Sequence, residues 1–143
     1  MRFVLDASVT LTWLLKDAGE RSNAYAFDVL KQIRSSTTEI HVPAIWGLEI
    51  ANVIARSEAK GNLTEAQSES FLEVLNSAPV LIDAATATHA LSATLQLARR
   101  YRLSSYGASY LELALRAGLP LATLDEALNK AATKAGVKLH KAA

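Results

Sequence analysis

The chain contains no cysteine among its 143 residues, which excludes a disulfide framework and a thiolate metal site. It also lacks an excess of charge of either sign, because 15 Lys and Arg residues face 14 Asp and Glu residues, for a formal net charge of +1. No overall field therefore marks the protein as a nucleic-acid binder. Any site for a polyanion must be local.

Long apolar runs are also missing. The segment 3–15 is apolar, but Asp6 interrupts it and no small-residue cleavage site follows, so a buried first strand explains it better than a signal peptide. No other stretch approaches the roughly 20 apolar residues that span a bilayer. We expect a soluble protein without a membrane segment, and the lack of cysteine is compatible with the cytoplasm.

Half of the residues are apolar, which suffices for one core in a chain too short for two ordinary domains, so we expect a single domain over residues 1–143. Short apolar runs predict strands at about 3–5, 40–42, 80–82, 120–123 and 137–139. Helical spacing predicts helices at about 8–16, 21–34, 44–60, 64–76, 86–101, 104–117 and 125–134. This alternation predicts a three-layer α/β/α fold with a central, mostly parallel sheet of about five strands.

Two acids directly follow predicted strands, Asp6 after the first and Asp125 after the fourth. The carboxyl ends of parallel strands share one edge of a sheet, where α/β folds place their sites, so these carboxylates can converge. Each acid also has a structural interpretation. Asp6 suits a turn or helix N-cap, and Asp125 suits the N-cap of the last helix. Capping and metal binding are compatible.

Glu49 lies in the helix predicted at about 44–60, whose stretch over residues 44–56 is apolar almost all round. At about 100° per residue, Glu49, Asn52 and Arg56 fall within one narrow stripe. That stripe faces either solvent or a polar cleft, and the pattern itself leaves both interpretations open.

Four segments match a known pattern in order and with suitable spacing. They are Phe3-Val-Leu-Asp6-Ala-Ser8 with Trp13, Glu49-Ile-Ala-Asn52, Tyr101-Arg-Leu-Ser-Ser-Tyr106 and Leu121-Ala-Thr123-Leu-Asp125. Each motif is weakly specific by itself, but together they cover nearly the whole chain. The chain resembles the PIN-domain ribonucleases of the VapC toxin type.

The resemblance implies a metal-dependent endoribonuclease. In that family four acids gather at one end of the sheet and bind Mg²⁺ or Mn²⁺ for hydrolysis of RNA phosphodiester bonds. Asp6, Glu49 and Asp125 match three of these acids, with the two Asp residues as direct ligands and Glu49 holding a water or the metal's outer shell. The third acid normally follows the Tyr of the Ser-Ser-Tyr segment, where this chain has Gly107. We therefore expect weakened metal affinity and reduced cleavage.

Three polar residues are expected to support this site. The resemblance implies that Ser8 and Thr123 hydrogen-bond the carboxylates, and Asn52 shares the helix stripe of Glu49. Nearby, Arg99, Arg100 and Arg102 form a basic cluster in the sequence. The cluster fits contact with RNA phosphates, and a solvated helix end explains it at least as well.

The resemblance also implies partners. These are an RNA substrate, a second copy of the chain in a homodimer, and a small antitoxin whose C-terminal segment covers the active site. Gly107 keeps a second hypothesis open, in which the protein is a catalytically inactive PIN-fold protein that acts through antitoxin or RNA binding.

Other classes with this architecture fit less well. A receiver domain would use Asp83, after the third strand, as its phosphoacceptor, but it needs an acidic pair where this chain has Asp6 followed by Ala7 and Ser8. The same segment lacks the two Asp residues, spaced by one, of a haloacid dehalogenase. It also lacks the glycine-rich loop of a Rossmann cofactor site.

Overall fold

A parallel sheet forms the centre of the computed structural model, which describes residues 1–142. Its strands are β1 (Arg2–Leu5), β2 (Glu39–Val42), β3 (Val80–Ile82) and β4 (Leu121–Ala122). They lie in the order β3-β2-β1-β4, and every neighbouring pair is parallel. Parallel strands need crossover connections, which the helices supply. The predicted three-layer α/β class is confirmed.

Eight α-helices follow or connect the strands. They are α1 (Ala7–Leu15), α2 (Glu20–Ser35), α3 (Trp46–Ala59), α4 (Glu65–Asn76), α5 (Thr86–His89), α6 (Leu95–Tyr101), α7 (Ser105–Ala117) and α8 (Glu126–Ala135). A π-helical turn, Ala90–Thr94, joins α5 to α6 and interrupts the helix predicted over residues 86–101. Hydrophobic spacing predicted the helix but does not distinguish i→i+4 from i→i+5 hydrogen bonding.

The core surrounds β1, whose Phe3, Val4 and Leu5 are at most 1% exposed. Strands β2 and β4 flank β1, and helices cover both faces of the sheet. This burial on all sides explains why β1 is a continuous apolar run in the sequence. Both tryptophans are buried beside it. The indole N–H of Trp13 donates to the Ala26 carbonyl at 2.7 Å, so the polar end of this buried side chain has a hydrogen-bond partner.

The fifth predicted strand, residues 137–139, is reduced to one parallel bridge between Leu121 and Leu139. The backbone N–H of Leu121 donates to the Lys138 carbonyl, and the His140 N–H donates to the Leu121 carbonyl, each at 2.9 Å. Because β4 contains only two residues, its outer edge offers room for little more pairing. The sheet therefore has four strands rather than five.

Three acids lie at or just beyond the carboxyl edge of this sheet. Asp6 follows β1, Asp83 follows β3, and Asp125 lies in the turn between β4 and α8. The fold thus places the acids singled out in the sequence on the side where α/β proteins carry their sites. Among the helices of residues 1–142, none combines the length and apolarity needed to cross a membrane.

Candidate functional site

A cavity of about 590 Å³ opens beside the ends of β1 and β4. We call it the acid cavity because Asp6, Glu49 and Asp125 all line it. Its other walls are formed by Ala7, Ser8, Leu11, Ile45, Leu48, Asn52, Val53 and Tyr106. An open, largely apolar cavity with a few convergent polar groups is the usual form of a ligand site.

Asp6 is buried at the back of the acid cavity, with 6% of its surface exposed. The hydroxyls of Ser8 and Thr123 both donate to its Oδ2, at 2.6 and 2.7 Å, so Oδ1 takes neither bond. Burial raises the pKa of Asp6, these hydrogen bonds lower it, and the charge of Asp125 raises it further, with a net upward shift. The ionised carboxylate is therefore costly unless a cation approaches.

The two hydroxyls that hold Asp6 also fix the turn after β4. The Leu124 N–H donates to Ser8 Oγ at 2.9 Å, and the Asp125 N–H donates to Thr123 Oγ1 at 3.0 Å. This network ties the end of β1 to the segment that carries Asp125. The positions of two acids are thus coupled through buried or half-buried hydroxyls rather than through a charged partner.

Glu49 enters the acid cavity from the first turn of α3 and is half-buried. The Tyr110 hydroxyl donates to its Oε1 at 2.6 Å. Burial raises the pKa of Glu49, the bond from Tyr110 lowers it, and the charges of Asp6 and Asp125 raise it again, so the net shift is upward. The three acids are therefore close enough to feel one another's charge.

The polar stripe of α3 divides between the two interpretations left open by the sequence. Glu49 and Asn52 line the acid cavity, whereas Arg56, one turn further on, lies outside it. The stripe therefore faces the polar cleft at its Glu49 end but lies outside that cleft at its Arg56 end. Although α3 is apolar almost all round, only its Trp46 and Ile50 are buried, and Leu48, which also lines the acid cavity, is 72% exposed.

The Asp125 side chain both caps a helix and lines the acid cavity. Its Oδ1 accepts the Ala127 N–H at 3.0 Å and so caps α8, while the exposed side chain also lines the acid cavity. The N-terminus of α8 stabilises a negative charge at this place.

Gly107 is the third residue of α7, next to Tyr106 on the rim of the acid cavity. Its N–H donates to the N-capping hydroxyl of Ser104 at 3.0 Å, and its backbone is not left-handed. A Cβ built here meets only Ser104 Oγ, at an ordinary contact distance of 3.5 Å. A side chain can therefore begin at this position without displacing the helix, and the first turn of α7 contains no acid.

The sequence interpretation missed Tyr110 and Tyr106. Tyr110 is fully buried, and burial followed by the charges of Asp6 and Glu49 raises its pKa, so it stays a hydroxyl donor. It lies three residues after Gly107, and residues at that spacing share a helix face. This spacing was the available signal, because a side chain one turn beyond an expected ligand points toward the same site.

The acid cavity fits a hard divalent cation by its chemistry. Within residues 1–142 no ion pair involves Asp6, Glu49 or Asp125. The three carboxylates do not form a closed cage, since no group of three or more Asp, Glu, His or Cys side chains in the described chain is arranged to hold an ion. Mg²⁺ is usually held by one or two carboxylates and keeps several waters, so this donor set suits a hydrated ion.

A parallel α/β sheet with acids gathered at its carboxyl edge defines the class of protein. The PIN domain model matches residues 3–134, so the chain belongs to the PIN-domain family. In addition, the chain is 35% identical over 130 residues to Ribonuclease VapC3 from two strains of Mycobacterium tuberculosis. The match covers 90% of this chain and 85% of that relative.

Solved structures agree on the fold. PAE2754 from Pyrobaculum aerophilum superposes with a TM-score of 0.65 and 21% identity, covering 92% of this chain and 84% of that one. FitAcB from Neisseria gonorrhoeae gives a TM-score of 0.61 and 20% identity, covering 99% and 98%. At these identities the likeness concerns the arrangement of the chain and not its activity.

Proposed function

We propose that this protein is an endoribonuclease toxin of the VapC type that hydrolyses RNA phosphodiester bonds with Mg²⁺ or Mn²⁺. The observation that carries the proposal is the acid cavity, where Asp6, Glu49 and Asp125 lie without a cationic partner within the described chain. The related protein from Mycobacterium tuberculosis is named a ribonuclease, which supports RNA as the substrate.

In this proposal Asp6 and Asp125 contact the metal directly. A Mg²⁺ or Mn²⁺ ion held there would supply positive charge to activate a water and to offset the negative charge on the phosphate and leaving oxygens. Ser8 and Thr123 both donate to Oδ2 of Asp6, so Oδ1 takes neither of these bonds and would be the oxygen that holds the cation. The hydroxyls thus fix the orientation of the ligand before the metal binds.

Glu49 has a positioning role at the other wall. The Tyr110 hydroxyl holds one carboxylate oxygen at 2.6 Å, so the second oxygen is available to orient a water on the metal. Asn52, one turn along α3 on the same wall, is a supporting polar group for substrate or water. Tyr110 is buried among these acids and keeps its proton, so it donates throughout.

Gly107 limits this activity because it removes the acid that the family carries at the start of α7. The loss of a carboxylate weakens metal binding and lowers the rate of cleavage. Gly107 also favours a second candidate function, in which the present chain is catalytically inactive and acts by binding an antitoxin or RNA.

Cleavage of labelled RNA with Mg²⁺ or Mn²⁺ tests the proposal in the parent chain and in Gly107→Asp. We expect the substitution to raise the cleavage rate on the order of 10- to 100-fold, as for other groups that support a metal site. The matched control is Gly107→Asp combined with Asp6→Asn, which should not cleave. A Gly107→Asp chain that neither binds metal nor cleaves contradicts the nuclease proposal. If it cleaves while the parent does not, the second candidate describes the present chain.

We also propose a homodimer and a small antitoxin partner, acting in the cytoplasm. Leu81 and Ile82 on the edge strand β3 are 47% and 67% exposed, and Leu91 is 87% exposed, which supports contact with a second copy. An acid cavity without its own cation suits an Arg or Lys from an antitoxin. Light scattering of the purified chain, and co-purification with the product of a neighbouring small gene, test these two partners. A monomer that binds no such product contradicts them.

A further inference from the structure

A second cavity, of about 340 Å³, lies between the end of α6 and one side of α8. We call it the basic groove, because four cations line it and no acid does. Its residues are Arg100, Tyr101, Arg102, Ala127, Lys130, Ala131 and Lys134. The chain has only one more cation than it has acids, so four of its 15 cations in one groove create a local positive field.

The cations of the basic groove are available to a ligand. Lys130 pairs with Glu126 at 3.9 Å, but both side chains are largely exposed and such a contact is weak. No ion pair within residues 1–142 involves Arg100, Arg102 or Lys134. The Arg100 guanidinium lies 5.7 Å from the centre of the Tyr101 ring, so an aromatic side chain stands among the cations.

On each wall of the basic groove, a lining residue lies close in sequence to a residue that lines the acid cavity. On one side Asp125 is the N-cap of α8, and the helical rise of 1.5 Å per residue places Lys130 and Lys134 about 8 and 14 Å further along. On the other side Arg102 ends α6, four residues before Tyr106 on the cavity wall. A strand that passes through the acid cavity thus meets the basic groove as it leaves.

We propose that the basic groove binds the phosphate backbone of RNA beside the bond that is cleaved, an inference that rests on the proposed ribonuclease function. Three carboxylates repel a phosphodiester, so the strand needs cations close by to bind. Lys and Arg neutralise phosphates regardless of sequence, and Arg adds a planar fork that matches phosphate oxygens. The basic groove supplies both residue types along the walls that lead away from the acids.

The backbone conformation of Arg102 allows the role of its charge to be tested without loss of stability. Arg102 ends α6 in the left-handed conformation, with φ 54°, and its C-cap position suits glycine better. Arg102→Gly therefore removes a cation of the groove while easing the backbone. Lys16 ends α1 with φ 55° and is the other non-glycine residue of this kind in residues 1–142. Lys16→Gly is thus a matched control of equal charge that lies outside the basic groove.

The measurement is fluorescence anisotropy of a short labelled single-stranded RNA, titrated with the full chain in EDTA over a series of KCl concentrations. We expect Arg102→Gly to keep or raise the melting temperature and to bind RNA several-fold more weakly. Its slope of log affinity against log salt should fall by about 0.7 for each phosphate that the variant no longer neutralises. Lys130→Gln with Lys134→Gln should reduce the slope by about twice as much. Lys16→Gly should bind like the parent.

The proposal is overturned if both groove variants bind RNA with the parent's affinity and salt slope. It is also overturned if a poly-glutamate peptide binds the parent more tightly than RNA does and loses binding in the same variants, because the partner is then an acidic protein segment. The assay requires neither metal nor cleavage. The two proposals can therefore fail separately. If RNA binding depends on the basic groove but the Gly107→Asp variant never cleaves RNA, the proposal for the groove is supported and the ribonuclease proposal is contradicted.

Discussion

Two acids at the carboxyl edge of the sheet, Asp6 and Asp83, have opposite surroundings. Arg116 donates to both carboxylate oxygens of Asp83, at 3.2 Å from Nη1 and 2.5 Å from Nη2, and also contacts Glu112 at 2.8 Å. Asp6 instead accepts hydrogen bonds from the hydroxyls of Ser8 and Thr123, and no charged side chain within residues 1–142 pairs with it. One acid is thus neutralised by the fold, and the other is oriented but left without a cation in the described chain.

The pKa values follow this difference. Burial pushes the pKa of Asp83 upward, but the hydrogen bonds from Arg116 and the Ala85 backbone, with the charge of Arg116, outweigh it and the net shift is downward. At Asp6, in contrast, the hydrogen bonds from the hydroxyls do not outweigh the effect of burial, so the pKa is raised. An acid that has a permanent cation partner is a structural feature, whereas a buried acid without such a partner is suited to binding a cation.

Removing Arg116 should give the largest change in stability. Arg116→Met leaves Asp83 and Glu112 without their cation, and the Glu112 side chain is only 6% exposed. We expect a loss of about 2 kcal/mol in the free energy of unfolding, less than for a fully buried pair because Arg116 is 31% exposed. Urea unfolding measures it. Lys130→Met, which breaks an exposed helix pair of the same spacing, is the control, and equal losses in the two variants would remove the distinction.

Neutralising the two aspartates should change stability in opposite directions. Without metal, Asp6→Asn removes a buried charge near two other acids while keeping an oxygen that accepts a hydroxyl, so we expect a gain of up to about 1 kcal/mol. Asp83→Asn weakens the contact with Arg116 and should lose a similar amount. Thermal unfolding in EDTA compares the two. A loss in Asp6→Asn as large as that in Asp83→Asn means that the Asp6 carboxylate serves the fold.

A smaller effect should appear in the pH dependence. Because the pKa of Asp83 is lowered on folding, its contribution is present above the unfolded pKa of about 3.9 and is lost as pH falls through the folded value. The stability difference between the parent and Asp83→Asn should therefore be constant near neutral pH and shrink in acid. Urea unfolding at several pH values checks this, and a difference that persists unchanged in acid argues against the ion pair.

The sequence was sufficient for the sheet and for the placement of the acids. The apolar run ending at Asp6 predicted a central strand, and the alternation of strands and helices predicted a mostly parallel sheet, whose strand ends bring Asp6 and Asp125 to the same edge. These features depend on local periodicity and on the rule for parallel strands. The length of the fifth strand did not follow, because pairing depends on a two-residue neighbour rather than on residues 137–139 themselves.

The contacts that Arg116 and Tyr110 make with acids were not predictable in the same way. Arg116 lies 33 residues from Asp83, and Tyr110 lies 61 residues from Glu49. No local pattern reports such pairs, since they depend on where α7 packs against the rest of the fold. A residue type and a position at a strand end can identify a candidate acid, but only its distant neighbours show whether a cation is already present.

The central claim, that the acid cavity is the cation site, is tested most directly by Mn²⁺ binding. Binding is followed by the loss of the free-ion electron paramagnetic resonance signal, in the parent chain and in Asp6→Asn, Asp83→Asn and Gly107→Asp. If the acid cavity is the cation site, the parent and Asp83→Asn should bind Mn²⁺ weakly and alike. Gly107→Asp should then bind it more tightly, and Asp6→Asn should lose binding. Equal binding by Asp6→Asn and the parent, or loss of binding in Asp83→Asn alone, would contradict that claim.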